Sequence, residues 1–377
     1  MYDFAVVGVG PAGARFARRA AERGYDVVAF EQGELGKPLA CSGHVSLDVW
    51  DYVPESRDSG ARQNSERSGG VPEDARDDLF QNEIRGARFH LGGADSEAYP
   101  FYEDEAISNA VDRVQLDKVL ADAARDAGAD VREQHTVTEV SEFNDRVELT
   151  VRGPDETFDV TAKMVAGSDG PRSRVRDALG LPEPDEFLHG ALAFDPEPDH
   201  EAFVDVHLTV PEFFAWRIPR GEGGVEYGLA AAPGEDVPGL FDAFVEDYGV
   251  DIEHRCSGII PIGPPDIVTS TRGFLLGDAA GQTKPFTGGG ILYGMTAADC
   301  AAREIDPDRP TTLTAYEDAW RDELGRDIQL GHLVRKGYSA PQPIQRAGMR
   351  LFEGEIGVHM DQPTSLFSAE QLRALLR

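Results

Sequence analysis

The stretch Phe4-Ala5-Val6-Val7-Gly8-Val9-Gly10-Pro11-Ala12-Gly13, with Asp26-Val27-Val28-Ala29-Phe30-Glu31 behind it, decides the fold. Phe4 to Gly8 is an apolar run rich in β-branched residues, suited to a buried parallel strand. The glycine turn opens a helix from about Pro11 to Arg23, Gly24 stops it, and Asp26–Phe30 reads as the next strand, closing on Glu31. Glycines at this spacing permit a tight turn, close approach of the backbone to a pyrophosphate, and close packing of helix on strand. The helix start offers free N–H groups and partial positive charge to phosphates, and an acid ending the second strand can accept from a ribose hydroxyl. Gly8, Gly10, Gly13 and Glu31 are therefore candidate contacts of a dinucleotide.

At 377 residues the chain is long enough for a large core and two subdomains. It contains no apolar run long enough to span a membrane, and its start runs straight into a strand, without the look of a secretory signal. Cys41, Cys256 and Cys300 make no disulfide framework, which fits a reducing cytoplasm. Sixty-eight acids against thirty-six bases give a net charge of −32. At low salt that surface repels nucleic acid and anionic membranes, and salt makes it tolerable, since the Debye length falls to about 3 Å at 1 M. The acids are spread along the chain, so they point to a salt-rich, halophilic cytoplasm rather than to an acidic docking block.

Outward from the first motif, Pro38-Leu39-Ala40-Cys41-Ser42-Gly43-His44 leads into a helical stretch reaching about Trp50. Residues 54–80 hold almost no large apolar side chains and read as a solvated polar insertion. A hairpin is expected over 85–104, and a helix between Asn109 and Gly128. Short strands at Val131, Val137–Val140, Val147–Val151 and Phe158–Val160 suggest a meander, followed by a buried strand at Met164–Gly167 and a helix over Arg172–Leu179. Strand patterns dominate Phe187 to Gly263, with one helix near Leu240–Tyr248, and this block is the natural place for a substrate. Gly273–Gly277 returns to the nucleotide unit, a helix begins near Gly289, and the chain from Thr311 is mostly helical.

Four segments turn the dinucleotide into a flavin. Arg113 stands just before a helix, within reach of a phosphate or a flavin edge. Asp169-Gly170 forms the tip of a strand-to-turn segment that runs on to Ser173 and Arg176. Gly277-Asp278 places a carboxylate at the end of a buried strand, where ribityl hydroxyls can donate to it. Thr287-Gly288-Gly289-Gly290-Ile291 opens a helix whose positive end favours the negative charge of reduced flavin.

This order of motifs is similar to that of the large family of FAD-dependent, monooxygenase-like oxidoreductases. Within it the chain most resembles the geranylgeranyl reductases, through Cys41-Ser42-Gly43-His44 and Phe214-Ala215-Trp216-Arg217-Ile218-Pro219. The resemblance covers residues 1 to about 305. It implies FAD contacts at Ala12, Glu31, Ala40, Cys41, Gly43, Arg113, Val137, Asp278, Gly290 and Ile291. It also implies an α/β fold: a Rossmann-type FAD-binding domain (1–185 and 265–310), an inserted, mainly antiparallel β-sheet substrate domain (186–264, with the 85–104 hairpin), and a helical C-terminus (311–377). The implied activity is saturation of isoprenoid double bonds in geranylgeranyl chains of archaeal-type ether phospholipids, with ferredoxin or NAD(P)H as electron donor. Ile218 departs from the expected Phe and approaches the Trp-x-Trp-x-Ile-Pro of flavin-dependent halogenases, which need a lysine; Lys37 and Lys118 are the lysines nearest the first motifs. A flavin monooxygenase acting on an aromatic or quinone is the alternative.

Cys41 beside a flavin can relay electrons, donate a proton, or simply pack as a small residue, and His44 can lend a proton or cap the next helix. Phe214 and Trp216 alternate with Ala215 and so share one strand face, lining a tunnel or filling core. Ile328 to Phe352 contains no acid but holds Arg335, Lys336, Arg346 and Arg350. Such a patch suits a lipid phosphate or peripheral contact with an anionic inner membrane face, or else internal ion pairing.

Overall fold

The computed structural model describes residues 1–37, 41–54, 77–252 and 255–354. The expected polar insertion falls mostly, and Ala40 wholly, outside the described residues.

The first strand, Tyr2–Val7, is buried on both faces, as its unbroken apolar pattern requires, and runs parallel to Val27–Phe30 on one side and Thr157–Gly167 on the other. Asp130–Arg132 extends this sheet beyond Val27–Phe30, and the antiparallel pair Val147–Arg152 and Thr136–Glu142 closes its far edge. The two strands expected at Phe158–Val160 and Met164–Gly167 are one eleven-residue strand. Its first half belongs to the meander and its second half to the parallel core, so the change of partner had looked like a break. Gly273–Leu275 pairs in parallel with Val165–Gly167, returning the chain to this sheet more than a hundred residues later.

Helix Pro11–Glu22 packs on the sheet through Ala14, Phe16, Ala17 and Ala20. Phe4, Phe16, Phe274 and Tyr316 form an edge-to-face chain with centroids 5.1–5.7 Å apart. Arg15 holds Asp299 with two hydrogen bonds (2.7 and 2.9 Å), joining this helix to Ile291–Glu304. Tyr316, from the long helix Leu313–Lys336, donates to the Leu275 carbonyl and accepts from Gln282, whose own oxygen accepts from Gly277 N–H. The helical C-terminal region is thus bolted to the turn after Gly273–Leu275.

A second sheet runs Arg255–Ile262, Glu186–Asp195, Val225–Ala231, Ala215–Pro219, Phe203–His207, Gly86–His90, Ala98–Tyr102, antiparallel throughout except where Phe203–His207 meets Gly86–His90. Strand alternation gives it two different faces. Val204, Val206, Trp216 and Ile218 look toward the first sheet, whereas Asp205, Arg217 and Tyr227 gather with Arg88 and Tyr248 on the other side. A third, small sheet of His44–Ser46, Ser108–Val111 and Phe80–Ile84 bridges the two. The helical stretch expected between His44 and Trp50 is corrected at its start. His44–Ser46 is a strand paired with Ser108–Ala110, and only Leu47–Asp51 turns, as a 3-10 helix. Cross-strand pairing outweighed local propensity.

Candidate active site

A cavity of about 1020 Å³ lies between the two large sheets, roofed by the C-terminal helices. One end is polar and glycine-rich, with Gly10, Ala12, Cys41, Arg113, Gly170, Asp278, Gly289, Gly290 and Ile291 on its wall. The other end is apolar, walled by Ile84, Phe89, Phe101, Val206, Leu208, Phe214 and Trp216.

The glycine turn is built for a ligand. Gly8 sits at φ +90°, and a Cβ there would lie 2.3 Å from the Ser168 carbonyl; one on Gly13 would lie 2.1 Å from the Gly8 carbonyl. A Cβ on Gly10 would meet nothing within 4 Å, so the open side of the turn is the cavity side. Glu31 accepts from Val9 N–H (2.9 Å) and Gly33 N–H (3.3 Å), and burial pushes its carboxyl up. Gly8, Gly13, Glu31, Gly43 and Val137 shape this region without lining the cavity. Asp169 also turns away from it: its carboxylate caps the helix Arg174–Ala178, accepting from Ser173 Oγ and from the Arg174 and Val175 N–H groups.

Asp278 stands opposite Gly290, and a Cβ on that glycine would lie 2.6 Å from its Oδ1. Burial pushes its carboxyl up to about 6, against the pull of Arg113. Among the described residues no hydrogen-bond donor meets that carboxylate. Arg113 opens helix Arg113–Asp126 and grips Asp117 one turn on (2.5 and 3.0 Å), while its Nε is buried without a partner. The guanidinium also lies against the Cys41 thiol. All three cysteines are free thiols. His44 Nε2 is 2.8 Å from Ser108 Oγ, and both residues reach the cavity.

Phe214 and Trp216 share the apolar wall, 5.8 Å apart edge to face, and the Phe214 ring meets Tyr338 from the C-terminal region. Three residues that sequence reasoning missed complete the site. Lys284, almost fully buried, lines the cavity beside the Gly288–Gly290 turn with the Tyr293 ring 6.0 Å away. Its signal was its place between the Gly277-Asp278 turn and that glycine run. Glu226 and Arg220, to which the sequence reading gave no role, are buried behind Trp216.

The patch without acids divides. Arg335 is consumed internally by Glu186 (2.6 and 3.0 Å), which corrects its place in a lipid-facing surface. Arg350 lies on the exposed Glu97, while Leu333, Ile344 and Leu351 are 63%, 63% and 71% exposed, and Ile344 also lines the cavity.

An unpartnered Arg113 Nε, an unmet Asp278 carboxylate and an open glycine turn are what a flavin dinucleotide would satisfy, so the residues present fit one. Residues 1–192 match the FAD binding domain family. A digeranylgeranylglycerophospholipid reductase of Methanothrix thermoacetophila is 30% identical over 353 residues, covering 86% of this chain and 84% of that protein. Its counterpart in Methanosarcina acetivorans is 29% identical over 361 residues, covering 89% and 84%. The crystal structure of a geranylgeranyl bacteriochlorophyll reductase-like protein from Thermoplasma acidophilum superposes with a TM-score of 0.80 at 22% identity, covering 99% of each chain.

Proposed function

Because the chain belongs to the FAD-binding-domain family and, within it, to the digeranylgeranylglycerophospholipid reductases, we propose that it saturates the double bonds of geranylgeranyl chains on ether phospholipids. The protein is an FAD-dependent oxidoreductase. The observation that carries the substrate is the cavity itself, polar at the glycine turn and walled by aliphatic and aromatic side chains toward Trp216.

Gly10, Ala12, Arg113, Asp278, Gly289, Gly290 and Ile291 would hold the cofactor. When bound, FAD supplies the two electrons that reduce an alkene. An isolated alkene offers no oxygen to take up charge, so proton delivery must be early and the site dry. Phe214 and Trp216 orient the chain and exclude water. Lys284 and the start of helix Ile291–Glu304 place positive charge at the cofactor end. Cys41 is the proposed catalytic group: its thiol can carry a proton into the cavity, and Arg113 beside it balances the negative sulfur left behind. The His44–Ser108 pair lies on the same wall as the route of resupply.

The substrate would enter from an anionic bilayer. Ile344 and Met349 line the cavity and belong to helix Gln342–Phe352, whose exposed Ile344 and Leu351 are accompanied by Arg346 and Arg350. No described helix is long and apolar enough to cross a membrane, so contact would be peripheral.

The test is anaerobic incubation of FAD-loaded protein with dithionite and a digeranylgeranyl phospholipid, read by mass spectrometry. Gain of two hydrogens per bond is expected. An unchanged lipid, or substrate-stimulated oxygen consumption in air, would overturn the assignment. Vesicle sedimentation should weaken in an I344S/L351S variant; unchanged binding would remove the membrane contact alone.

A further inference from the structure

The Glu226 side chain is 0% exposed on strand Val225–Ala231, yet it faces neither solvent nor the cavity. One carboxylate oxygen accepts from Trp216 Nε1 (2.8 Å) and the other from Arg220 Nη1 (2.9 Å). Arg220, also buried, donates from the same nitrogen to the Ser42 carbonyl and from Nη2 to the Val111 carbonyl (2.9 Å). Val111 N–H in turn donates to the Gly43 carbonyl (2.9 Å). Gly43 itself lies at φ +69°, and a Cβ on it would lie 2.5 Å from the Val111 carbonyl, so this loop has no slack. At the other end the Trp216 indole lies on Gly228, its partner across the strand pair. A continuous chain of hydrogen bonds, buried at its Glu226–Arg220 centre, therefore joins the wall of the prenyl channel to the loop that carries Cys41.

We propose that Glu226 and Arg220 are positioning residues: through them, the Trp216 indole and the Cys41–Gly43 loop are held in fixed register on opposite sides of the reacting alkene. This rests on the reading of Trp216 as channel wall and Cys41 as the group at the cofactor. A carboxyl group suits the junction, since its two oxygens meet two donors and the bond from Arg220 is charge-assisted by the guanidinium. Glutamine has one oxygen for two donors and leaves Arg220 a buried cation without its counter-charge. Release of the loop, rather than loss of a substrate contact, is then the consequence.

Two of the three cysteines report on this directly. In FAD-loaded protein, alkylation of Cys41 measures local opening of the loop, and the buried Cys300 measures global unfolding. Glu226→Gln is expected to raise the Cys41 alkylation rate on the order of tenfold, with Cys300 unchanged and the flavin spectrum retained. Trp216→Phe, which removes the N–H donor together with part of the ring and leaves both charges in place, should move Cys41 in the same direction by less. Equal Cys41 rates in wild type and Glu226→Gln would overturn the proposal, and so would a change confined to Glu226→Gln with Trp216→Phe matching wild type. If Glu226→Gln raises Cys300 together with Cys41, that variant is reporting unfolding, and Trp216→Phe alone decides. Failure of the wild-type protein to saturate any prenyl lipid would instead sink the functional reading, independently of these rates.

Discussion

Replacing Gly228 with alanine should displace Trp216 into the channel. A Cβ on Gly228 would lie 2.3 Å from the indole Cε2 and Cζ2. Ordinary carbon contacts begin near 3.5 Å, so the ring must retreat by about 1.2 Å, and its open side is the cavity. That movement stretches the 2.8 Å bond from Nε1 to Glu226 beyond hydrogen-bond range. Overpacking of this kind costs about 1–3 kcal/mol, and losing a bond to a buried carboxylate about 1.5–3 kcal/mol, with partial overlap between the two. Taking about 2–4 kcal/mol in all, and an unfolding entropy near 0.8 kcal/mol/K for a chain of this size, Tm should fall by about 3–5 °C. Thermal unfolding followed by fluorescence measures that fall. Anaerobic prenyl-lipid reduction should show a raised KM, while FAD content stays at the wild-type level because the cofactor end is untouched. A Tm within about 1 °C of wild type together with an unchanged KM would refute the packing argument.

Asp278→Asn should weaken FAD by roughly 10–100-fold in Kd, the worth of hydrogen bonds to a charged acceptor, in a fluorescence titration; an unchanged Kd would remove Asp278 from the cofactor contacts. Arg113→Met leaves Asp117 as a buried, unpaired carboxylate and should cost about 3–5 kcal/mol in denaturant unfolding, most of it recovered in Arg113→Met/Asp117→Leu. Burial raises the Glu226 carboxyl to about 7 from its ordinary 4.5, so its contribution to stability is full below pH 4.5 and lost as pH rises through 7. The wild-type Tm should accordingly carry a downward component between those values that Glu226→Gln lacks, and parallel Tm curves for the two proteins would contradict it. With a net charge of −32, Tm should climb between 0.1 and 2 M KCl, and a flat or falling curve would argue against adaptation to salt.

The parts of the molecule legible in the sequence were those where local pattern and tertiary role coincide. Gly8, Gly10 and Gly13 carry their requirement in the residue type, and the unbroken apolar runs at Phe4–Val7 and Gly273–Leu276 could only be buried strands. Asp278 and the Gly288–Gly290 turn followed from the same logic. Asp169 was half legible: the residue type marks the turn, but whether its carboxylate faces a ligand or caps Arg174 and Val175 depends on the path of the backbone. His44–Ser46 was misread because three residues are too few to show a period, and their partner strand lies more than sixty residues away. Glu226 was invisible for a different reason. A glutamate in a strand of mixed character normally marks the solvent side, and only the convergence of Trp216 and Arg220 turns that position inward. Arg335 shows the converse, a basic residue in a stretch free of acids whose counter-charge, Glu186, comes from the second sheet.

Gly273–Leu275 docks beside a strand that ends at Gly167, and Asp278 follows immediately, so the flavin pocket lacks a wall until the segment from Gly273 to Asp278 has been made. Until then the nascent polypeptide carries an open β edge at Val165–Gly167 and a greasy groove with nothing to fill it. Flavin capture is therefore a late event in folding, and the first sheet stays incomplete until Gly273–Leu275 is added, although every strand of the second sheet has already been made. A message truncated shortly before Gly273 would yield a colourless, sticky fragment rather than a weak enzyme.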